Sequence, residues 1–140
     1  MKILIMGLPG AGKTWLAERL TTYIDDCAWF NADVIRSAAN DWDFSTEGRV
    51  RQAKRMRTFA DFENSQGRHV ICDFVAPTIE TRQEFDAGII VWLDTIREGR
   101  YDDTNKLFQD PVDEAHVIIK HHFTEEETAA WAELLKKRLK

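Results

Sequence analysis

Two features that often shorten a functional reading are missing from this chain, a cysteine framework and a long apolar run. Its two cysteines, Cys27 and Cys72, stand among apolar neighbours with no C-x-x-C pair and no Cys/His ligand spacing. That pattern argues against a zinc or disulfide scaffold and predicts buried free thiols of a reducing cytosol. No stretch approaches the ~18 apolar residues of a membrane span, and Lys2 to Met6 is too short for a secretory leader. The expectation is a soluble, cytoplasmic protein with no membrane partner. Also absent are internal repeats, low-complexity tracts, linkers and the guanine-reading NKxD motif. Nor is there an excess of positive charge. A net charge of -5 disfavours a general nucleic-acid binder held by counterion release, and leaves nucleic acid open only as an acceptor. The exception is local: "RVRQAKRMR", Arg49 to Arg57, holds five basic residues and no acid.

What is present is an alternation of short apolar runs with helical patterns. The runs are Lys2 to Met6, Ala28 to Asn31, His69 to Phe74, Ile89 to Asp94 and His116 to Lys120. Most are continuous rather than alternating, which predicts strands buried on both faces and therefore parallel. Leu16, Leu20, Tyr23 and Ile24 keep a helical rhythm, as do Val50, Ala53, Met56, Phe59 and Ala60 in a longer segment. Thr124 and Glu127 form a capping box ahead of Trp131, Leu134, Leu135 and Leu139, which fall on one face. That helix ends in Lys136, Lys137, Arg138 and Lys140, suiting its negative dipole end. At 140 residues the chain suits one domain, 1–140, able to bury a core unaided. Residues 95–111 are polar and without a clear period, and read as a mobile functional loop.

Gly7, Leu8, Pro9, Gly10, Ala11, Gly12, Lys13 and Thr14 fill GxxxxGK[ST] between a predicted strand and a predicted helix. Glycines let the backbone N–H groups turn inward on anionic oxygens, and the helix adds its positive end. Lys13 then reaches the β- and γ-phosphates while the Thr14 hydroxyl ligates Mg²⁺. The implied cofactors are ATP and Mg²⁺, and the implied fold is a P-loop NTPase: a three-layer α/β/α sandwich around a five-stranded parallel sheet. Size and the late polar loop favour a kinase with a lid over a switch GTPase.

Three more stretches, "NADVIR" at 31–36, "DFSTEGRVRQAKR" at 43–55 and "DFVAPTIETR" at 73–82, complete a resemblance. In order and spacing the chain resembles the adenylylsulfate kinases, small P-loop kinases that phosphorylate the 3'-hydroxyl of adenosine 5'-phosphosulfate, over about residues 1–94. The family's DGDxxR aligns with Asn31, Ala32, Asp33 and Arg36; the resemblance implies that Asp33 lies near the acceptor hydroxyl and that Arg36 contacts substrate. Asp33 can equally cap a helix beginning at Val34. The family's FSxxDR and NxxR align with Phe44, Ser45, Gly48, Arg49, Gln52 and Arg55. This implies Phe44 stacking on the acceptor's adenine, Arg49 gripping its phosphosulfate in a forked contact, and Gln52 in place of the family Asn. Gly48 stands where the family has Asp. The family's FISP segment aligns with Phe74, Val75, Ala76 and Pro77, so Val75 and Ala76 fall in the substrate site with the serine replaced by Ala76. Asp73 stands where a P-loop enzyme holds Mg²⁺ through water, or is a buried, hydrogen-bonded carboxylate. Arg82 aligns with a family arginine or is helix surface.

The family's longer lid, with its DPKGLY-like segment, is replaced by "DTIREGRYDDTNKLFQDP". Arg97 and Arg100 are the lid arginines able to fold over the phosphates, and Tyr101, Lys106 and Phe108 can touch the acceptor or a base. His116, His121 and His122 read as surface or core residues rather than zinc ligands. Related kinases often pair as homodimers, though no residue pattern here speaks to pairing. The leading reading is phosphoryl transfer from MgATP to adenosine 5'-phosphosulfate. Asn31, Gly48, Ala76 and the short lid keep open another hydroxyl acceptor, such as a nucleoside, a modified nucleic-acid base or a small alcohol. A non-catalytic nucleotide-binding switch is the alternative of a different class.

Overall fold

In the computed structural model, which describes residues 1–139, Lys2–Met6 forms the first strand, β1, and its alternation sets the two faces of the sheet. Ile3 and Ile5 point into one layer and Leu4 and Met6 into the other, all four fully buried. The order continues with α1 (Lys13–Tyr23), β2 (Cys27–Asn31), α2 (Ala32–Ala39), α3 (Thr46–Ser65), β3 (His69–Asp73), α4 (Ile79–Phe85), β4 (Ile89–Leu93), α5 (Asp102–Leu107), β5 (Val117–Ile119) and α6 (Glu125–Leu139). The five strands are all parallel, in the spatial order β2-β3-β1-β4-β5. This is the α/β architecture that the continuous apolar runs predict. β1 lies between β3 and β4; the chain leaves β1 toward β2 on one side and crosses from β3 to β4 on the other, and this reversal opens a crevice at the carboxyl ends of the strands.

One layer packs α1 and α6 on Ile3, Ile5, Ile71 and Val91 through Leu16, Leu20, Ile24, Ala132 and Leu135. The other packs α3 and α4 on Leu4, Cys72 and Trp92 through Ala53, Met56, Ala60 and Phe85. The capping box of α6 is present: Thr124 N donates to Glu127 Oε1 at 3.1 Å, and Glu127 N to Thr124 Oγ1 at 3.2 Å. Of the four residues expected on one face, Leu135 is buried and Trp131 and Leu139 pack against the core, while Leu134 is 41% exposed; Thr128 and Ala132 complete the buried face. Lys140, expected in the basic last turn, lies outside the described residues. Both cysteines are free, Cys72 buried and Cys27 half-buried, and burial pushes the Cys27 thiol up to about 11. Among the described residues no helix is long and apolar enough to cross a membrane.

Candidate active site

The chain leaves β1 through the glycine-rich loop and enters α1 at Lys13. Gly12 caps α1 in the left-handed region, φ 102°, and offers no side chain to the first-turn N–H groups. Those donors remain free for an anion. The loop is held from within by Ala11 N donating to Leu8 O at 3.0 Å, and from beyond β4 by Thr95 Oγ1 donating to Ala11 O at 2.8 Å. Lys13 folds back so that Nζ donates to Leu8 O at 3.1 Å. Burial pulls its pKa down to about 8, against the upward pull of Asp73 and Asp33; Arg100 repels it further.

Asp73, at the end of β3, is 2% exposed, and three donors converge on it. Trp29 Nε1 reaches Oδ2 at 2.6 Å, while Asn31 Nδ2 at 3.0 Å and Thr14 Oγ1 at 3.4 Å reach Oδ1. Burial raises the Asp73 carboxyl above the usual range, partly offset by the Trp29 bond, the Lys13 charge and the Asn31 and Thr14 bonds. The Thr14 hydroxyl and the Asp73 carboxylate are hard oxygen donors beside the phosphate loop, a set that suits Mg²⁺. Asn31 does more than replace an acid. Its Oδ1 accepts from Val34 N at 3.1 Å, making it the N-cap of α2, while its amide donates to both Thr14 Oγ1 and Asp73. The cap is therefore Asn31 rather than Asp33, which sits exposed in the first turn of α2.

Above these groups opens a cleft of about 680 Å³. On one side it is lined by Pro9, Gly10, Gly12, Lys13, Thr14 and Asp73. Facing them are Asp33, Phe44, Arg49, Val75 and Arg100, all expected from the sequence. Gly7, Leu8 and Ala11 support the loop from beneath and do not line the cleft. Trp42, Phe44 and Tyr101, 52%, 46% and 55% exposed, also line the cleft and give it aromatic surface that a flat ring can meet, with Arg36 and Arg49 stacked on the Phe44 ring. Trp42, Asp103 and Thr104 were not expected here. Trp42 lies in a short polar connection, and the other two belong to α5, a helix of six residues whose N-cap Tyr101 makes no side-chain hydrogen bond.

Other expected residues are employed elsewhere. Arg36 is 4% exposed, donates from Nη1 to the carbonyls of Asp41 and Asp43, and lies over the Phe44 ring at 4.4 Å. It backs the cleft rather than lining it. Gln52 is likewise buried, with Nε2 donating to Ala32 O at 3.1 Å. Ala76 is buried at φ 48°, its carbonyl held by Arg82 Nε. Arg97 pairs with Asp94 at 3.6 Å and lines a small separate cavity beside Leu8 and Phe108. The basic run is largely neutralised: Arg51 pairs with Asp41 and Asp43, Arg55 with Asp41, and Arg57 with Asp61. Gly48 is required sterically, because a Cβ there would lie 2.2 Å from Asp43 O and 2.5 Å from Asp43 Cγ. The turn at Asp43 fills the space that the family's Asp side chain would need. Arg82 is not helix surface; it is 2% exposed and ties Ala76, Pro77, Gln109 and Glu114 together. His116 is structural, its Nδ1 accepting from Ile90 N at 3.0 Å, and His121 and His122 are exposed.

The family model for adenylylsulphate kinase matches residues 1–93, from β1 to the end of β4. The chain belongs to the adenylylsulphate kinase family. A curated relative, the probable adenylyl-sulfate kinase of Aeropyrum pernix, is 33% identical over 87 residues. That match covers 56% of this chain and 45% of the relative, so this adenylylsulphate kinase family member aligns with less than half of the relative's length. Solved structures share its fold end to end. The Mycobacterium tuberculosis APS kinase CysC, solved with AMPPNP and APS, has a TM-score of 0.66 at 18% identity, covering 99% of this chain and 96% of that one. A sugar kinase from Janibacter sp. HTCC2649 has a TM-score of 0.72 at 17% identity, covering 97% and 94%. The fold of this family member is thus that of P-loop kinases with different acceptors.

Proposed function

We propose that this family member transfers the γ-phosphoryl group of MgATP to a hydroxyl, with the 3'-hydroxyl of adenosine 5'-phosphosulfate as the acceptor. The observation that carries this reading is the opposition, across one cleft, of Lys13, Thr14 and Asp73 to Asp33, Phe44 and Arg49. The loop N–H groups and Lys13 hold the β- and γ-phosphates, and Arg100 adds charge from the lid. Asp33 accepts the hydrogen bond of the acceptor hydroxyl, aims its oxygen in line and takes its proton. Thr14 and Asp73 would hold Mg²⁺, which when bound would neutralise phosphate charge. The half-exposed aromatic side chains take the acceptor's ring.

A second acceptor class is favoured by specific observations. Arg36 and Gln52 are committed to backbone carbonyls, and Gly48 replaces the family's acid. These suit the same chemistry on a ring-bearing alcohol that lacks a phosphosulfate.

The test is transfer of label from γ-labelled ATP to adenosine 5'-phosphosulfate, a panel of nucleosides, small alcohols and hydroxymethylated DNA. Label on adenosine 5'-phosphosulfate, lost in Lys13→Ala and Asp33→Asn, supports the first reading. Label on another acceptor alone replaces it with the second. Nucleotide turnover indifferent to Asp33→Asn would point to a non-catalytic switch.

A further inference from the structure

The lid helix α5 reaches into the acceptor half of the cleft and takes hold of its arginine. Arg49 is 8% exposed. Its Nε donates to Phe44 O at 2.8 Å and its Nη2 to the buried Thr104 Oγ1 at 2.9 Å, while Asp103 Oδ2 lies 3.7 Å from the same Nη2. A forked grip on an anion needs two parallel donors from one edge of the guanidinium. The Nε/Nη2 edge is already occupied by the chain's own oxygens, and Asp103, 73% exposed on its side chain, sets a carboxylate beside the same Nη2.

Lys13 and Arg100 lie close enough to repel each other across the cleft. Opposite the phosphate loop the cleft is lined by two cations, Arg49 and Arg100, and two acids, Asp33 and Asp103, with the Arg36 guanidinium buried behind Phe44. An anionic phosphosulfate would have to displace the Asp103 carboxylate from Arg49, whereas an uncharged ring-bearing alcohol would meet exposed aromatic side chains and the Asp33 carboxylate without doing so.

We propose that Asp103 is a specificity-determining residue that competes with an acceptor's anionic tail for Arg49 and so biases the cleft toward ring-bearing acceptors of low charge. The proposal rests on the reading that this half of the cleft takes the acceptor. It goes beyond the choice between the two acceptor classes by naming the lid carboxylate that would weigh against the phosphosulfate and for the second class.

The test is calorimetric binding of adenosine 5'-phosphosulfate and of adenosine, with MgAMPPNP present, to the intact protein and to Asp103→Asn and Asp102→Asn. Asp102 shares the first turn of α5 but does not line the cleft, so it controls for charge alone. Expected is a gain of about fivefold in phosphosulfate affinity for Asp103→Asn, the scale of one partly exposed ion pair. Adenosine affinity should stay within about twofold, and Asp102→Asn should change neither. The proposal is overturned if Asp103→Asn leaves phosphosulfate binding unchanged or weaker, if Asp102→Asn matches it, or if neither ligand binds any of the three proteins. Binding that follows the expected pattern without label transfer to either ligand would sink the acceptor assignment alone, so the two failures are distinguishable.

Discussion

Trp29 Nε1 and Asp73 Oδ2 are joined by a 2.6 Å hydrogen bond across neighbouring strands. The register that pairs Asn31 with Asp73 puts Trp29 and Asn31, two residues apart, on one face, so both reach the same carboxylate. Replacing Trp29 by Phe keeps a ring and removes the donor. The expected cost is about 1–3 kcal/mol in a thermal or urea melt, because one oxygen of a buried carboxylate loses its partner. Loss of a bond that favours the ionised form should also push the Asp73 carboxyl further up, measurable by carboxyl NMR titration.

Lys13 supplies a pH dependence. Its ammonium loses its proton near pH 8 because burial disfavours the charged form, so the grip on phosphate is strong below that pH and fades above it. MgATP should bind the free protein about tenfold more weakly at pH 9.5 than at pH 7. Lys13→Arg, which keeps its charge throughout, should give a flat profile in the same fluorescence or calorimetric titration.

Arg49→Ala should separate the two substrates. The guanidinium lines the acceptor half, so acceptor KM should rise about tenfold while KM for ATP stays level. A rise in the ATP value instead would assign this arginine to the other substrate. Steady-state kinetics with each substrate varied in turn decides it.

Gly48→Ala should destabilise by about 1–3 kcal/mol, since even a methyl group meets Asp43 backbone 2.2 Å away. Gly48→Asp, which restores the residue type of the resembled pattern, should cost more. Melting of both variants is the check, and a neutral Gly48→Asp would mean that the 43–45 turn shifts at little cost.

Arg82→Met should cost about 3–5 kcal/mol, because it leaves Glu114 and the carbonyls of Ala76, Pro77 and Gln109 without their shared donor. Chemical denaturation measures it. Arg82→Lys, with fewer donors and no planar fork, should recover only part.

What could be read beforehand follows the strength of local signals. The strands from β1 to β4 agree with their apolar runs to within a residue or so; β1, β3 and β4 are buried on both faces, while β2, at the sheet edge, is only half-buried. The phosphate loop and the Thr124/Glu127 capping box are encoded in a few adjacent residues, and both are present. The acceptor side was harder. Phe44, Arg49 and Val75 do line the cleft, but Arg36 and Gln52 carry the same polarity inward to backbone carbonyls. A sequence position does not say which way a long polar side chain turns. α5 carries no periodic signal, because its six residues, five of them polar, complete fewer than two turns. Asn31, an amide where the resembled pattern has an acid, both caps α2 and donates to Asp73, a double task that a carboxylate cannot perform.

The lid segment is also the crossover between the last two strands. It leaves at Asp94, whose N–H bonds Ile119 O at 2.8 Å, and returns at His116, whose N–H bonds Ile90 O at 2.9 Å. β5 itself is only three residues long. The stretch that contributes Arg100, Asp103 and Thr104 to the cleft therefore also fastens the edge of the sheet. A change of substrate preference made by lengthening, shortening or grafting this stretch is at the same time a change in how firmly that edge is closed. Hydrogen exchange in β5 should loosen in step with any redesign of the lid, and selection on the one property constrains drift in the other.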